Sequence, residues 1–171
     1  WITAFNEANP VADRFGPWEA ADPELYARII GEDDAPGESD WYGFGTTFPH
    51  DPTDSERPNK VFTATPQSVD YLLDLARAAA AEFELGADEH PDLLCISISS
   101  TDYAGHSFST HSWEYIDVLR KADASLGKLI AELEQDTEVS VLITSDHGGT
   151  PLVEASIAAG QIAGRLGSDE V

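Results

Sequence analysis

Two short apolar runs on either side of a long amphipathic stretch constrain this chain most. Asp92-Leu93-Leu94-Cys95-Ile96-Ser97-Ile98-Ser99 and Val139-Ser140-Val141-Leu142-Ile143-Thr144 each have the length and apolar density of a buried strand. Between them Ser112 is an N-cap, followed by Trp113, Ile116, Leu119, Ala122, Leu126, Leu129, Ile130 and Leu133 at helical spacing. Strand, helix, strand is a βαβ unit, so the expected class is α/β with a parallel sheet covered on both faces. Two parallel strands do not stand alone. The sheet is therefore expected to be incomplete, and the chain to be part of a longer one. The absence of any Met and the opening Trp1 fit that expectation.

The flanking regions differ in texture. Thr65-Pro66 reads as an N-cap with proline in the first turn, and apolar residues from Val69 to Phe83 repeat at helical spacing. Val153 to Ala163 reads as a weaker helix. Residues 1–65 hold three of the four Trp and a series of proline turns. Only Pro23 to Ile30, capped by Asp22 and followed by Gly31, reads there as a helix. The expected division is thus an irregular aromatic insertion or lid over 1–65 and a βαβ core over 66–171.

Charge narrows the partners. Thirty-two Asp and Glu face nine Lys and Arg, a formal net of −23 at pH 7. Such a surface repels phosphate backbones and anionic lipid, which argues against nucleic acid as a partner. No apolar run approaches the roughly 18–20 residues of a membrane span. Most of the carboxylates are scattered and read as solvated surface.

Function in open α/β sheets collects at the carboxyl ends of the strands. Ser99-Ser100-Thr101-Asp102-Tyr103-Ala104-Gly105-His106 follows the first expected strand, and Ser145-Asp146-His147-Gly148-Gly149 the second. A right-handed crossover places both clusters on one sheet edge. Asp102, His106, Asp146 and His147 then form a mixed oxygen and nitrogen set suited to zinc. Other candidates are weaker. Gly105-His106-Ser107-Phe108-Ser109 lacks the last glycine of a nucleophile elbow. Ser145, Asp146 and His147 are contiguous and cannot face one another as a triad. Cys95, mid-run, reads as a buried structural thiol, and His50 and His90 read as surface.

The Ser-Ser-Thr-Asp-x-x-Gly-His block, with Thr-Ser-Asp-His-Gly about forty residues later, resembles the alkaline phosphatase superfamily. It is nearest the branch of periplasmic single-domain alkaline phosphatases and type I phosphodiesterase/nucleotide pyrophosphatases. Ser112-Trp113-Glu114, Asp117 and Asp123 resemble that branch's long helix, and Trp1-x-x-x-Phe5-Asn6, Trp18-Glu19 and Thr65-Pro66 its insertion. Ser109-Thr110 departs from the Gly-Pro of many relatives. The resemblance implies a three-layer α/β/α fold and a phosphate-ester hydrolase with two zinc ions. Asp102 and His106 would hold one ion, and Asp146 and His147 the other. The Thr or Ser nucleophile and the remaining ligands would lie outside this segment, so that the segment needs the rest of its catalytic domain and is inactive alone. It further implies a periplasmic or extracellular location and a small-molecule phosphate ester as substrate. A sulfatase-like member and a non-catalytic α/β binding module are the alternatives.

Overall fold

A computed structural model describes residues 1–135 and 137–164. Its α-helices are α1 (Ile2–Ala8), α2 (Pro23–Ile29), α3 (Pro58–Phe62), α4 (Pro66–Glu82), α5 (Ser100–Phe108), α6 (Trp113–Leu133) and α7 (Val153–Ala158). Single 3₁₀ turns lie at Val11–Arg14, Trp41–Gly43 and Pro52–Asp54.

Several elements form as their sequences direct. The Asp22 carboxylate accepts the Leu25 amide at 3.1 Å, and Pro23 starts α2. Ser112 accepts the Tyr115 amide at 3.1 Å and starts α6. Thr65 precedes Pro66 in α4, but its hydroxyl donates to the Phe62 carbonyl instead of capping.

The two expected strands pair with nothing among the described residues, where the only bridge is isolated, between Trp18 and His50. No parallel sheet forms among the described residues. Residues 92–99 still alternate in burial: Leu94, Ile96 and Ile98 are half-buried, and Leu93, Cys95 and Ser97 are exposed. Ile96 and Ile98 pack on the core. This is the period of a strand with one face covered. It leaves Cys95 exposed, where a buried thiol was expected. Val141, Leu142 and Ile143 are exposed as well. A strand buried on both faces needs neighbours on both edges and both faces; among the described residues, the 92–99 run has one covered face, and neither run has a paired edge.

The core is helical. Val69, Leu73 and Ala76 of α4 meet Val118, Ala122 and Leu129 of α6, with Ala104 and Phe108 of α5 beside them. Residues 1–65 are more ordered than their proline turns suggest, since α1 and α3 form there. They contribute Trp18, Phe44, Val61 and Ala64 to the same cluster.

The buried stripe of α6 differs from the apolar one read in the sequence. Glu114, Asp117, Val118, Ala122, Ser125 and Leu129 are buried, and Leu119 is exposed. Two acidic side chains face inward because residues 1–65 supply their partners. The Asp117 carboxylate accepts from Trp18 Nε1 at 2.7 Å, the Ala21 amide at 2.8 Å and the Tyr26 hydroxyl at 2.7 Å. Glu114 Oε1 lies 2.8 Å from His50 Nε2, while His50 Nδ1 lies 3.0 Å from the Phe44 carbonyl. His50 is therefore a core residue enclosed by Trp18, Phe44, Phe48 and Phe108, not the surface histidine its loop context suggests. His90 is exposed as expected.

Candidate metal centre

Residues 100–108 carry the first motif on α5, a helix that no apolar period in the sequence marks. The helix sets Asp102 and His106 at i and i+4, on one face. His106 Nε2 lies 3.3 Å from Asp102 Oδ1. The second motif reaches the same carboxylate: His147 Nε2 also lies 3.3 Å from Asp102 Oδ1. The two imidazole centroids are 6.4 Å apart. Asp146 stands at the edge, its carboxylate 3.9 Å from His147 Nε2 and 92% exposed. All four candidates are thus drawn together on a solvent-facing surface. Their contacts are pairwise: among the described residues no group of three or more His, Cys, Asp or Glu side chains is arranged to hold a metal ion.

The second motif loop is tied in two ways. Gly149 packs so close to Thr110 that a Cβ would collide with its Cγ2, so a larger residue there requires Thr110 to move. The Asp146 carboxylate accepts the His147 amide at 3.1 Å, and His147 Nδ1 lies 3.0 Å from the Gly148 carbonyl. An Nδ1–H donating to that carbonyl orients the ring so that Nε2 is the atom facing Asp102. The Gly148 carbonyl, then the charges of Asp146 and Asp102, hold the His147 imidazole pKa above its usual value.

Behind α5 the chain turns at Ser109 with φ +91° and ψ 152°, a region that otherwise belongs almost entirely to glycine. Three hydrogen bonds hold it: Ser109 N to the Gly105 carbonyl, His111 N to Ser109 Oγ, and Ser112 Oγ to the Ser109 carbonyl. The departure from glycine at this position thus carries a backbone cost.

Sequence reasoning missed a second cluster of carboxyls at the junction of residues 33–38 with α6. Glu114 Oε2, Asp33 Oδ1 and both oxygens of Glu38 are buried without a hydrogen-bond partner of good geometry. Burial, then the Glu114 charge, pushes the Glu38 carboxyl up to about 9. Burial likewise raises Glu114 and Asp33. No signal in the sequence distinguishes these three from the other acidic residues.

The fold and the paired Asp-His motifs together define a member of the alkaline phosphatase superfamily. The family model described as type I phosphodiesterase / nucleotide pyrophosphatase matches residues 11–164, and the chain belongs to that family. It is 29% identical over 157 residues to a calcium-transporting ATPase of Myroides odoratus, covering 86% of this chain and 29% of that protein. It is 34% identical over 96 residues to the alkaline phosphatase PhoK of a Sphingomonas species, covering 56% of this chain and 17% of PhoK. The crystal structure of wild-type alkaline phosphatase PafA superposes with a TM-score of 0.84 at 26% identity, covering 95% of this chain and 32% of PafA. The chain therefore has an alkaline phosphatase-like fold, and it spans less than a third of the length of each of these relatives.

Proposed function

We propose that this chain forms part of a zinc-dependent phosphoester hydrolase of the alkaline phosphatase or phosphodiesterase type. The supporting observation is that Asp102, on α5, lies 3.3 Å from both His106 and His147, residues about forty positions apart in sequence. Carboxylate oxygens and imidazole nitrogens are the mixed donors zinc prefers, so the donor types fit the ion, while among the described residues they meet only pairwise. In this reading Asp102 and His106 hold one ion, and Asp146 and His147 the other. Bound there, zinc would supply positive charge to a transferring phosphoryl group, which a segment of net −23 otherwise repels.

The chain's own task is to fix these donors. The turn spacing of α5 sets the first pair. The Gly149 approach to Thr110 and the His147–Gly148 contact set the second. The Thr or Ser nucleophile and the remaining ligands are assigned to parts of the protein outside this segment, and the segment alone is expected to be inactive. Residues 92–99 and 139–144 are assigned to a parallel central sheet whose other strands lie elsewhere in the protein. The exposed apolar side chains of both runs support that assignment. Residues 1–65 are read as an insertion on this core and 66–171 as its βαβ portion, of which residues 136 and 165–171 lie outside those described. No helix among the described residues is long and apolar enough to cross a membrane. The location is proposed as periplasmic or extracellular, on the resemblance.

The test uses the full-length protein with zinc supplied. Hydrolysis of an aryl phosphate monoester and the matching diester is compared, with Asp146→Ala as background. Turnover of either ester, lost by orders of magnitude in the variant, supports the reading. No turnover of either by zinc-loaded protein refutes it in favour of a sulfate ester or a binding role.

A further inference from the structure

A second feature lies beside Asp102 on α5. Tyr103 stacks against Trp41, with centroids 6.0 Å apart and planes 24° apart. Lys60 of α3 places Nζ over both rings, 4.7 Å from the Tyr103 centroid and 5.6 Å from that of Trp41. Next along, the Arg57 guanidinium lies 4.7 Å over Tyr42. Tyr103 and His106 are i and i+3 on one helix, so their Cβ atoms are about 5–6 Å apart. Tyr103 thus stands within one helical turn of the candidate metal ligands, with Trp41 stacked on it.

Trp41, Tyr42 and Tyr103 form a shelf partly buried against the core, and two observations go beyond that packing. The first concerns charge. Four of the nine basic residues, Arg14, Arg77, Arg120 and Lys121, are paired with carboxylates. Lys60 and Arg57 are exposed, and, as for Arg28 and Lys128, no carboxylate among the described residues lies within ion-pairing distance of either. Arg14 and Arg120 also lie over rings but keep a carboxylate partner, so among the described basic residues Lys60 and Arg57 alone combine a ring face with no ion pair. A ring face holds a cation weakly and leaves its N–H donors free for an anion. The second concerns the backbone. Tyr42 sits at φ 57° and ψ 38°, a left-handed conformation that is an outlier for a bulky residue. Ser55 Oγ and the Glu56 amide both donate to its carbonyl, at 2.8 and 3.0 Å, and hold it there. Backbone strain of this kind persists where the surroundings over-determine it, and such places cluster at ligand sites.

The geometry points to a leaving-group subsite: Trp41 and Tyr103 receive a flat ring, and Lys60 with Arg57 receives a second negative charge carried by that ring. The substrate class is an aryl or heteroaryl phosphoester bearing an anionic group remote from the scissile phosphate. This deepens the proposed function and rests on it. The metal centre takes the reacting phosphate. The shelf, one residue further along α5, selects what is attached to it. A net charge of −23 gives these cations their value, because an anionic leaving group has few other places to settle.

The test compares phenyl phosphate with 4-carboxyphenyl phosphate in the full-length zinc-loaded protein and in Lys60→Ala, Trp41→Leu and Lys128→Ala. Lys128 is an exposed lysine of α6 outside the shelf. The readout is the ratio of kcat/KM for the two esters, relative to the parent's ratio, which cancels their intrinsic reactivity. Lys60→Ala is expected to lower the ratio on the order of tenfold, the scale of one charge-assisted contact. Lys128→Ala should leave it as in the parent. Trp41→Leu should weaken inhibition by both phenylphosphonate and 4-carboxyphenylphosphonate, which reports the ring contact without turnover. An unchanged ratio in Lys60→Ala, with turnover still lost in Asp146→Ala, overturns the subsite and leaves the metal centre standing. Turnover retained in Asp146→Ala overturns the metal-centre reading itself.

Discussion

Glu38→Gln tests the buried carboxyl cluster most directly. Both Glu38 oxygens lack partners, and Glu114, Asp34 and Asp33 press on it with like charge. Its carboxyl is raised from 4.5 to about 9. The folded protein therefore holds a proton there that the unfolded chain releases above pH 4.5. This contribution to stability is fully present below that pH and is lost as pH rises toward 9. One pH unit across that window is worth about 1.4 kcal/mol, so moving from pH 5 to pH 7 should cost the parent roughly 2–3 kcal/mol through this group. The amide introduced by Glu38→Gln does not titrate, and the variant escapes the loss. For a chain of this size about 1 kcal/mol moves Tm by roughly 2–4 °C. Thermal unfolding followed by circular dichroism should show the parent's Tm falling relative to Glu38→Gln by roughly 5–10 °C between pH 5 and pH 7. Asp33 and Glu114 shift in the same direction, so the parent's own curve should fall more steeply than Glu38 alone demands. Parallel Tm curves for the two proteins, or a variant less stable at pH 7 than at pH 5 relative to the parent, would mean that Glu38 is ionised and compensated in the fold, and the argument fails.

The remaining predictions concern the junction between residues 1–65 and α6, and the metal centre. Asp117→Ala strips partners from Trp18 Nε1, the Ala21 amide and the Tyr26 hydroxyl, and should cost about 3–5 kcal/mol in urea unfolding. His50→Leu leaves Glu114 buried and unpaired and should cost about 3–5 kcal/mol at pH 7. Ser109→Gly should relieve a strained φ of +91° and raise stability by about 1 kcal/mol in the same assay, net of the lost Oγ bond to the His111 amide. His106→Ala, whose side chain is 74% exposed, should leave urea unfolding within about 0.5 kcal/mol of the parent while abolishing phosphoester turnover in the full-length protein.

Much of the fold was legible one residue at a time. The long helix from Ser112, the capped helix after Asp22 and the two motifs that end near one another could all be placed from the chain alone. Local rules suffice there: a hydroxyl or carboxylate caps the next turn, and apolar residues recur with the helical period. The family was legible too, because Asp-x-x-x-His and Asp-His-Gly are read as strings whatever surrounds them. What those strings meet depended on packing. No pattern marks residues 100–108 as helix, since their polar side chains favour no periodic stripe. Yet that helix is what brings Asp102 and His106 onto one face. The burial of His50, Glu114 and Asp117 was equally invisible, because a polar residue enters a core only when a partner arrives to satisfy it. Those partners lie 64 to 99 residues away along the chain. The unpaired runs at 92–99 and 139–144 show the converse. A strand is a property of its neighbours as much as of its sequence, and these segments keep the apolar composition of strands while no ladder forms on them among the described residues.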